Sequence, residues 1–498
     1  MFRPNLFFKL PALNRFYSKN VISVLRERKL IDNITSKDLE KKCQTPITVY
    51  LGVDPTAPSM HLGNLIAIVN LIHFHLAGHQ VISLVGGATG SIGDPSGRKS
   101  ERAIIEQEKL NLNIQKLQNQ MKLLFNSAAK YSQKYNDSSA SSSKNCNIKP
   151  PLFLNNNDWY SDMNILHFLR TVGRVSRVKQ MLARESVKAR MLPEEIGISF
   201  TEFTYQLLQA YDFYYLNQNH NCSLQIGGSD QWGNITAGID LINKLNNLES
   251  SVQKNQINPE SFSPDPASVS TNSDQTGVYG LTIPLLLSST GEKYGKSAGN
   301  AVWLDPNLTS PYQLYQHFMK TPDADVEKLL LYFTLVPKQK ILETMAEHTI
   351  KPERKVAQTL LAEEVTELVH GSESVRKAQL VTNYLFGSNE TQSSNKDSKT
   401  LDFPSDYLIS ALKGDPILVN ISHSQLTSSK ITDLSVISKA CSSKSEASRL
   451  IKNGGLYWNN SKVLDNKWSP DPNSDFLGDP KISILRVGKS KFFVLNLV

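Results

Sequence analysis

The stretch that most constrains the fold lies between residues 47 and 77. Residues 47–53 are β-branched and apolar, as a buried strand requires. Asp54-Pro55-Thr56-Ala57-Pro58-Ser59 interrupts that run, and residues 61–77 read as a largely apolar helix. A strand, a break and a helix in this order make the unit of a nucleotide-binding α/β sheet. The start of such a helix carries unsatisfied backbone amides and partial positive charge, so phosphates bind there, and Gly63 lets a ligand approach the backbone. Thr56, His61 and Asn64 can add side-chain donors. A buried strand and core helix with an incidental histidine is the alternative these residues leave open. His75 and His79 have metal-ligand spacing on a helix, but no acidic partner completes the motif. These two read as surface residues rather than zinc ligands, and His73 adds little.

A second stretch, Lys293-Tyr294-Gly295-Lys296-Ser297, follows strand-like residues 281–287 and the turn Ser288-Ser289-Thr290-Gly291. Two lysines around a glycine suit a loop whose charge stabilises a leaving polyphosphate; alone, it also reads as an ordinary solvated turn. Together, His61-Leu62-Gly63-Asn64 and Lys293-Tyr294-Gly295-Lys296-Ser297 resemble the paired HIGH and KMSKS motifs of class I aminoacyl-tRNA synthetases. Three further segments narrow the resemblance to the tyrosyl-tRNA synthetase family, mitochondrial type. They are Gly86-Gly87-Ala88-Thr89-Gly90-Ser91-Ile92-Gly93-Asp94-Pro95-Ser96-Gly97, the run from Phe203 through Phe213, and Gly227-Gly228-Ser229-Asp230-Gln231-Trp232-Gly233-Asn234. The resemblance covers most of the chain from roughly residue 21 onward.

Spacing alone puts Tyr205, Gln209 and Asp212 on one helix face, at i, i+4 and i+7, where they can line one pocket. The resemblance implies the rest. Tyr50 and Asp212 would hold a substrate phenol, Asp94, Tyr205 and Gln209 its α-ammonium, and Gln231 would lie near its carboxylate. Thr56 and His61 would serve the γ-phosphate of ATP, and Gly52, Asp54, Gly63, Asn64 and Asp230 would contact the nucleotide. Lys293, Lys296 and Ser297 would form the loop over the phosphates, with Arg98, Lys99 and Arg102 as a further basic loop. Magnesium would arrive with ATP, without a dedicated protein site. Asn64 departs from the last histidine of HIGH, and Tyr294 and Gly295 depart from KMSKS. An aromatic followed by glycine there resembles the tyrosyl branch. Arg98 stands where many relatives carry lysine, which keeps the charge but not the geometry.

The implied architecture is α/β: a Rossmann-type parallel-sheet catalytic domain, then an α-helical domain and a small S4-like α+β RNA-binding domain. The boundaries read as 21–309, 310–430 and 431–498. A connecting segment at about 151–200 corresponds to the family's homodimer interface. Its Arg170, Arg174, Arg177, Lys179, Arg184, Lys188 and Arg190 suit docking of a tRNA acceptor arm, or simply solvated helix faces. Polar runs at about 126–149 and 246–275 read as surface insertions, and 386–400 as a linker. Ser443-Lys444-Ser445-Glu446 reads as a capping box opening a basic helix through Lys452, with a strand pair around Asn459-Asn460 beyond it. Lys444, Arg449 and Lys452 would contact RNA phosphates; a generic small α/β cap is the alternative.

The first 20 residues carry Arg3, Lys9, Arg15 and Lys19 among apolar residues, with no acidic residue before Glu27. This pattern reads as a mitochondrial transit peptide, cleaved near residues 16–22 and addressing the matrix, with a disordered basic tail as the alternative. Cys43, Cys146, Cys222 and Cys441 form no C-x-x-C pair, so zinc-finger and disulfide-framework classes are not indicated. No apolar run is long enough to span a membrane. The net charge of +8 suits a partner bearing phosphates. Two functions emerge: ligation of tyrosine to tRNA(Tyr) at the expense of ATP, or RNA binding on a synthetase scaffold without catalysis. Retention of Asp212, Asp94, His61 and both loop lysines favours the enzyme.

Overall fold

A computed structural model describes residues 19–98, 100, 102, 105–135, 149–191, 197–254, 277–289, 291, 296–297, 300–386, 405–478, 481–488 and 491–498, with backbone alone at 249–254, 296–297 and 300. Residues 1–18 of the segment read as a transit peptide, Lys99, Lys293 and most of the three polar runs lie outside these residues. The chain divides into two compact units, Met1–Leu304 with Thr321–Leu361, and Asp305–Lys320 with Ala362–Val498. The boundary read at 309/310 is therefore not where the first unit ends, because residues 321–361 pack with it.

In the first unit a six-stranded sheet is built from β1 (Asn33–Ile34), β2 (Thr48–Val53), β3 (Gln80–Val85), β4 (Leu152–Asn155), β5 (Cys222–Gly228) and β6 (Tyr279–Ile283), in the order β1-β6-β5-β2-β3-β4. All neighbours are parallel except β1 on β6. Strand order reverses between β2 and β5, and the crevice at such a reversal is where open α/β sheets bind ligands. β4 falls inside the segment read as a connection, so sheet and connection overlap there.

The helices that matter for the site are α1 (Val21–Glu27), α2 (Leu62–Leu76), α3 (Gln107–Ser132), α4 (Phe200–His220), α5 (Trp232–Lys254) and α6 (Asp323–Phe333). Tyr50, Ile82 and Leu84 of the sheet bury against Phe213 and Leu216 of α4 and Ile235, Ile239 and Ile242 of α5. Full burial of each such side chain contributes ~1.5–3 kcal/mol. Arg28, just after α1, is 4% exposed. Its guanidinium donates to the carbonyls of Leu331 (3.1 Å), Thr334 (2.7 Å) and Val336 at the end of α6, answering the acceptors that a helix C-terminus leaves open.

Three sequence readings change. His73, His75 and His79 are all at most 2% exposed. Because α2 is apolar on every side, it is packed on every side, and its histidines go into the core. Burial pushes His75 down to about 4, and His79 Nδ1 accepts the Ile47 N–H at 3.2 Å. The polar run at 126–149 begins as helix: α3 continues to Ser132, with Ala128, Ala129 and Tyr131 buried. Likewise α5 runs to Lys254, taking in the first nine residues of the second polar run.

The second unit contains β9 (Leu418–Ile421), β10 (Leu456–Trp458), β11 (Ser461–Lys462), β12 (Ile482–Val487) and β13 (Lys491–Leu497), taking as β7 and β8 the short pair Lys296–Ser297 and Asn300–Ala301 of the first unit. The sheet order is β11-β10-β12-β13-β9. Asn459 and Asn460 take φ of +45° and +65° between β10 and β11, the left-handed pair a two-residue hairpin needs. Helix α7 (Lys444–Lys452) buries Ala447 and Ile451, and Ser443 caps it by accepting the Glu446 N–H. The Glu446 carboxylate accepts from Ser442 instead of Ser443, so the expected reciprocal box is displaced by one residue.

Candidate active site

A cavity of about 780 Å³ opens over the carboxyl ends of β2 through β6 in the first unit. Each strand delivers a residue to it: Asp54 after β2, Gly86 after β3, Asn156 after β4, Asp230 after β5, and Pro284 to Leu286 after β6. The strand read at 281–287 ends at Ile283, which frees the following residues to form the cavity wall.

At one end the cavity meets the start of α2. His61 is its N-cap, and the His61 N–H donates to Asn64 Oδ1 at 3.1 Å. A side chain at residue 63 would bring its Cβ to 2.8 Å from His61 Cε1, so glycine there lets the imidazole lie across the helix start. The Leu62 N–H donates to Val302 O, and the Asn64 N–H to His61 O. The expectation of a row of free amides is therefore corrected: a returning strand and the tightened first turn use most of them. Thr56, His61 and Asn64 line the cavity, with Gly52 and Gly63 beside them. The loop before them is fixed by α3, whose Asn113 donates to Pro55 O and whose Gln120 accepts the Met60 N–H, both at 3.0 Å.

The middle of the cavity holds two carboxylates in a network. Asp54 accepts from the hydroxyls of Thr89 and Tyr205, each at 2.8 Å. Burial, relieved partly by the Thr89 bond, pushes its carboxyl up to about 6. Here too glycine is required, since a Cβ at Gly86 would lie 2.0 Å from Asp54 Oδ1. Asp94 accepts from Gln231 Nε2 at 2.7 Å and the Ser96 N–H at 3.0 Å, while its own carbonyl accepts from Arg102 Nε. Gln209 donates to Gln231 Oε1 at 3.2 Å. Its other polar atom, Oε1, is buried with no hydrogen-bond partner. An acceptor without a donor, beside a carboxylate, suits a bound ammonium group.

At the far end lie Tyr50 and Asp212. Asp212 is 3% exposed and accepts from Asn156 Nδ2 at 3.0 Å and Trp159 Nε1 at 2.9 Å. Burial outweighs these bonds and pushes the carboxyl up to about 7. The Tyr50 ring packs on Phe213, with centroids 5.4 Å apart. Its hydroxyl is buried without a partner, as is Oε1 of Gln225, which stands opposite it on β5. Burial and the nearby Asp212 hold the Tyr50 phenol well above its ordinary value.

Sequence reasoning thus finds Tyr50, Gly52, Asp54, Thr56, His61, Gly63, Asn64, Asp94, Arg98, Arg102, Tyr205, Gln209, Asp212, Asp230 and Gln231 in one cavity. Lys293 and Lys99 lie outside the described residues, and for Lys296 and Ser297 only the backbone pairing of β7 with β8 is described. It misses Asn156, Trp159 and Gln225. A glutamine inside the otherwise apolar strand Leu224-Gln225-Ile226 was a usable signal; Asn156, in a run of three asparagines, was not.

Of the charges offered for RNA, Arg190 is unavailable. It forms a buried ion pair with Glu202 at 2.7 Å and donates to Gly197 O. Arg184 donates to Thr236 Oγ1. On α7, Lys444 pairs with Asp433 at 2.5 Å while remaining largely exposed.

Residues 41–387 match the family described as tRNA synthetases class I (W and Y). The chain is 38% identical to the tyrosine–tRNA ligase of Protochlamydia amoebophila, covering 96% of this chain and 99% of that protein. It is 37% identical to the mitochondrial tyrosine–tRNA ligase of Saccharomyces cerevisiae, covering 96% and 89%. Its fold is similar to a C-terminally truncated mitochondrial tyrosyl-tRNA synthetase of Aspergillus nidulans, with a TM-score of 0.62 and 35% identity, over 74% of this chain and 94% of that one. The chain therefore belongs to the class I tRNA synthetases, in the tryptophan and tyrosine branch, and within that branch to the tyrosine–tRNA ligase family.

Proposed function

We propose that the cavity binds tyrosine and ATP together, joins them as tyrosyl-adenylate, and passes the tyrosyl group to the 3′ end of tRNA(Tyr). The observation that carries this reading is the Tyr50 hydroxyl, buried without a partner in the cavity that Asp212 also lines. A phenol entering there accepts from Tyr50 and donates to Asp212, whereas phenylalanine leaves the Tyr50 hydroxyl unpaired and sets a bare ring edge against the buried carboxylate. Asp94 and Gln209 Oε1 take the α-ammonium, which turns the substrate carboxylate toward the start of α2.

The carboxylate oxygen attacks the α-phosphorus of ATP and pyrophosphate leaves. The terminal ribose hydroxyl of the tRNA then attacks the tyrosyl carbonyl, releasing AMP. Neither step needs a protein nucleophile. Thr56, His61 and Asn64, with Lys293, Lys296, Ser297 and the Arg98 to Arg102 loop, stabilise charge as it gathers on the pyrophosphate. Magnesium enters as the ATP complex. Its oxygens come from the phosphates and water.

The mitochondrial matrix is the proposed compartment, supported by the basic first 20 residues and by mitochondrial relatives from yeast and Drosophila melanogaster. A homodimer is the proposed assembly: Ile165, Leu166, Leu169, Val178 and Phe200 expose apolar side chains around one connecting segment, Phe200 by 78%. The C-terminal β-sheet with α7 is the proposed S4-like RNA contact, through Arg449 and Lys452 with Lys444 in a supporting role. Tyrosine-dependent exchange between ATP and labelled pyrophosphate tests the reading, and a folded protein without exchange contradicts it.

A further inference from the structure

Asp54, expected against the nucleotide, and Asp212, proposed against the substrate phenol, are joined by a run of hydrogen bonds. The Thr89 hydroxyl donates to Asp54 Oδ1 at 2.8 Å. It accepts in turn from Asn156 Nδ2 at 3.0 Å, and the same amide nitrogen donates to Asp212 Oδ2 at 3.0 Å. Thr89 is 3% exposed and Asn156 is fully buried, so solvent does not compete for these bonds. Neither Thr89 nor Asn156 takes part in the chemistry above. Thr89 opens a short helical turn after β3, Thr89–Ile92, and Asn156 directly follows β4, so the run crosses from one strand end to the next.

Donor count fixes every direction in this run. A carboxamide nitrogen has two hydrogens, and Asn156 gives one to Thr89 and one to Asp212. Its oxygen accepts the Ala88 N–H at 2.8 Å, so a reversed amide would lose that bond and turn its oxygen against the Asp212 carboxylate. A hydroxyl has a single hydrogen. Because Thr89 accepts from Asn156, that hydrogen is left for Asp54. Glycine makes the space: a Cβ at residue 86 would lie 2.0 Å from Asp54 Oδ1 and 2.3 Å from Thr89 Oγ1. Burial raises both carboxyls, and the bond that most opposes it belongs to this run in each case, from Thr89 at Asp54 and from Asn156 at Asp212. One hydroxyl thus stands between the two ends of the cavity.

We propose that Thr89 is a positioning residue for both substrates: its hydroxyl holds Asp54 toward the nucleotide and, through Asn156, holds Asp212 toward the substrate phenol. This inference rests on the function proposed above. The test uses the full chain and measures ATP–pyrophosphate exchange at varied ATP, with tyrosine and with phenylalanine. Thr89→Val keeps the shape of the side chain and removes its hydroxyl. The KM for ATP then rises about fivefold, and the tyrosine-over-phenylalanine ratio of kcat/KM falls by about the same factor, each the effect of one lost buried hydrogen bond. Thr89→Ser keeps the hydroxyl, loses the methyl group, and recovers most of both. A packing role gives the reverse order, with the valine variant unimpaired and the serine variant impaired, and that result overturns the proposal. A change in only one of the two quantities also overturns it, because the hydroxyl then serves one end alone. If the valine variant does not fold, Thr89→Ala and Thr89→Ser, which differ by one oxygen atom, give the same comparison, and equal KM and selectivity in that pair overturn the proposal. Absence of exchange in the folded, unmodified chain overturns the functional reading itself, and this inference with it.

Discussion

In the proposed function, Tyr50 and Asp212 choose the amino acid by the phenol they would receive. Each is buried beside the other's charge or dipole; the Tyr50 hydroxyl has no hydrogen-bond partner, while Asp212 is held by Asn156 and Trp159. Asp212→Ala removes the acceptor of the substrate phenol, so the ratio of kcat/KM for tyrosine over phenylalanine falls by at least ~100-fold; an unchanged ratio refutes the role given to Asp212. Tyr50→Phe removes one hydrogen bond and weakens tyrosine binding by roughly 1 kcal/mol, about fivefold, in a direct binding titration. The same burial predicts a pH dependence. Asp212 is pushed up to about 7 and Asp54 to about 6, above the ~3.9 of an aspartate in an unfolded chain. The folded state therefore holds these protons more tightly. Their contribution is full below about pH 4 and is lost as pH rises through about 7, a change on the order of a few kcal/mol. Denaturant titrations of the ligand-free protein between pH 4 and 8 show that decline, and Asp212→Asn flattens the part near pH 7.

At the scale of elements, the site is a product of strand ends and helix starts, and that decides what a sequence reveals. β2, α2 and α4 carry their residues on short local patterns, so Tyr205, Gln209 and Asp212 could be put on one face by counting. The polar support was less legible. Asn156 and Trp159 reach Asp212 only because β4 lies at the sheet edge and the chain turns back under α4, a long-range fact with no local signature. Helix α3 was hidden for a different reason. Its mean composition is polar and its last turn merges into a serine- and asparagine-rich run, yet it holds the loop before His61 through Asn113 and Gln120. The buried histidines of α2 make the same point in reverse: local spacing suggested a surface, and all-round packing overrode it. Gln120→Ala leaves the Met60 N–H without its acceptor and should raise the KM for ATP several-fold while leaving tyrosine affinity intact. Steady-state exchange at varied ATP checks this.

Across the whole molecule, charge and exposed apolar surface divide the remaining tasks. Arg449 and Lys452 carry positive charge on α7, and phosphate contacts of the kind proposed for them add affinity without touching chemistry. The Arg449→Ala, Lys452→Ala pair should therefore raise the KM for tRNA and reduce its salt dependence, with ATP–pyrophosphate exchange unaltered. Phe200→Asp places charge in the exposed apolar cluster of the first unit; on the proposed assembly, sedimentation shows a dimer for the unmodified chain and a monomer for the variant. Both results concern partners, whereas the account stands on the cavity. Its most direct test is pyrophosphate exchange run with tyrosine and with phenylalanine on the same preparation. The account predicts exchange with tyrosine and a kcat/KM for phenylalanine lower by ~10⁵, the value familiar for this enzyme class and not one drawn from this geometry. Exchange that is absent from folded protein, or equal for the two amino acids, would contradict it.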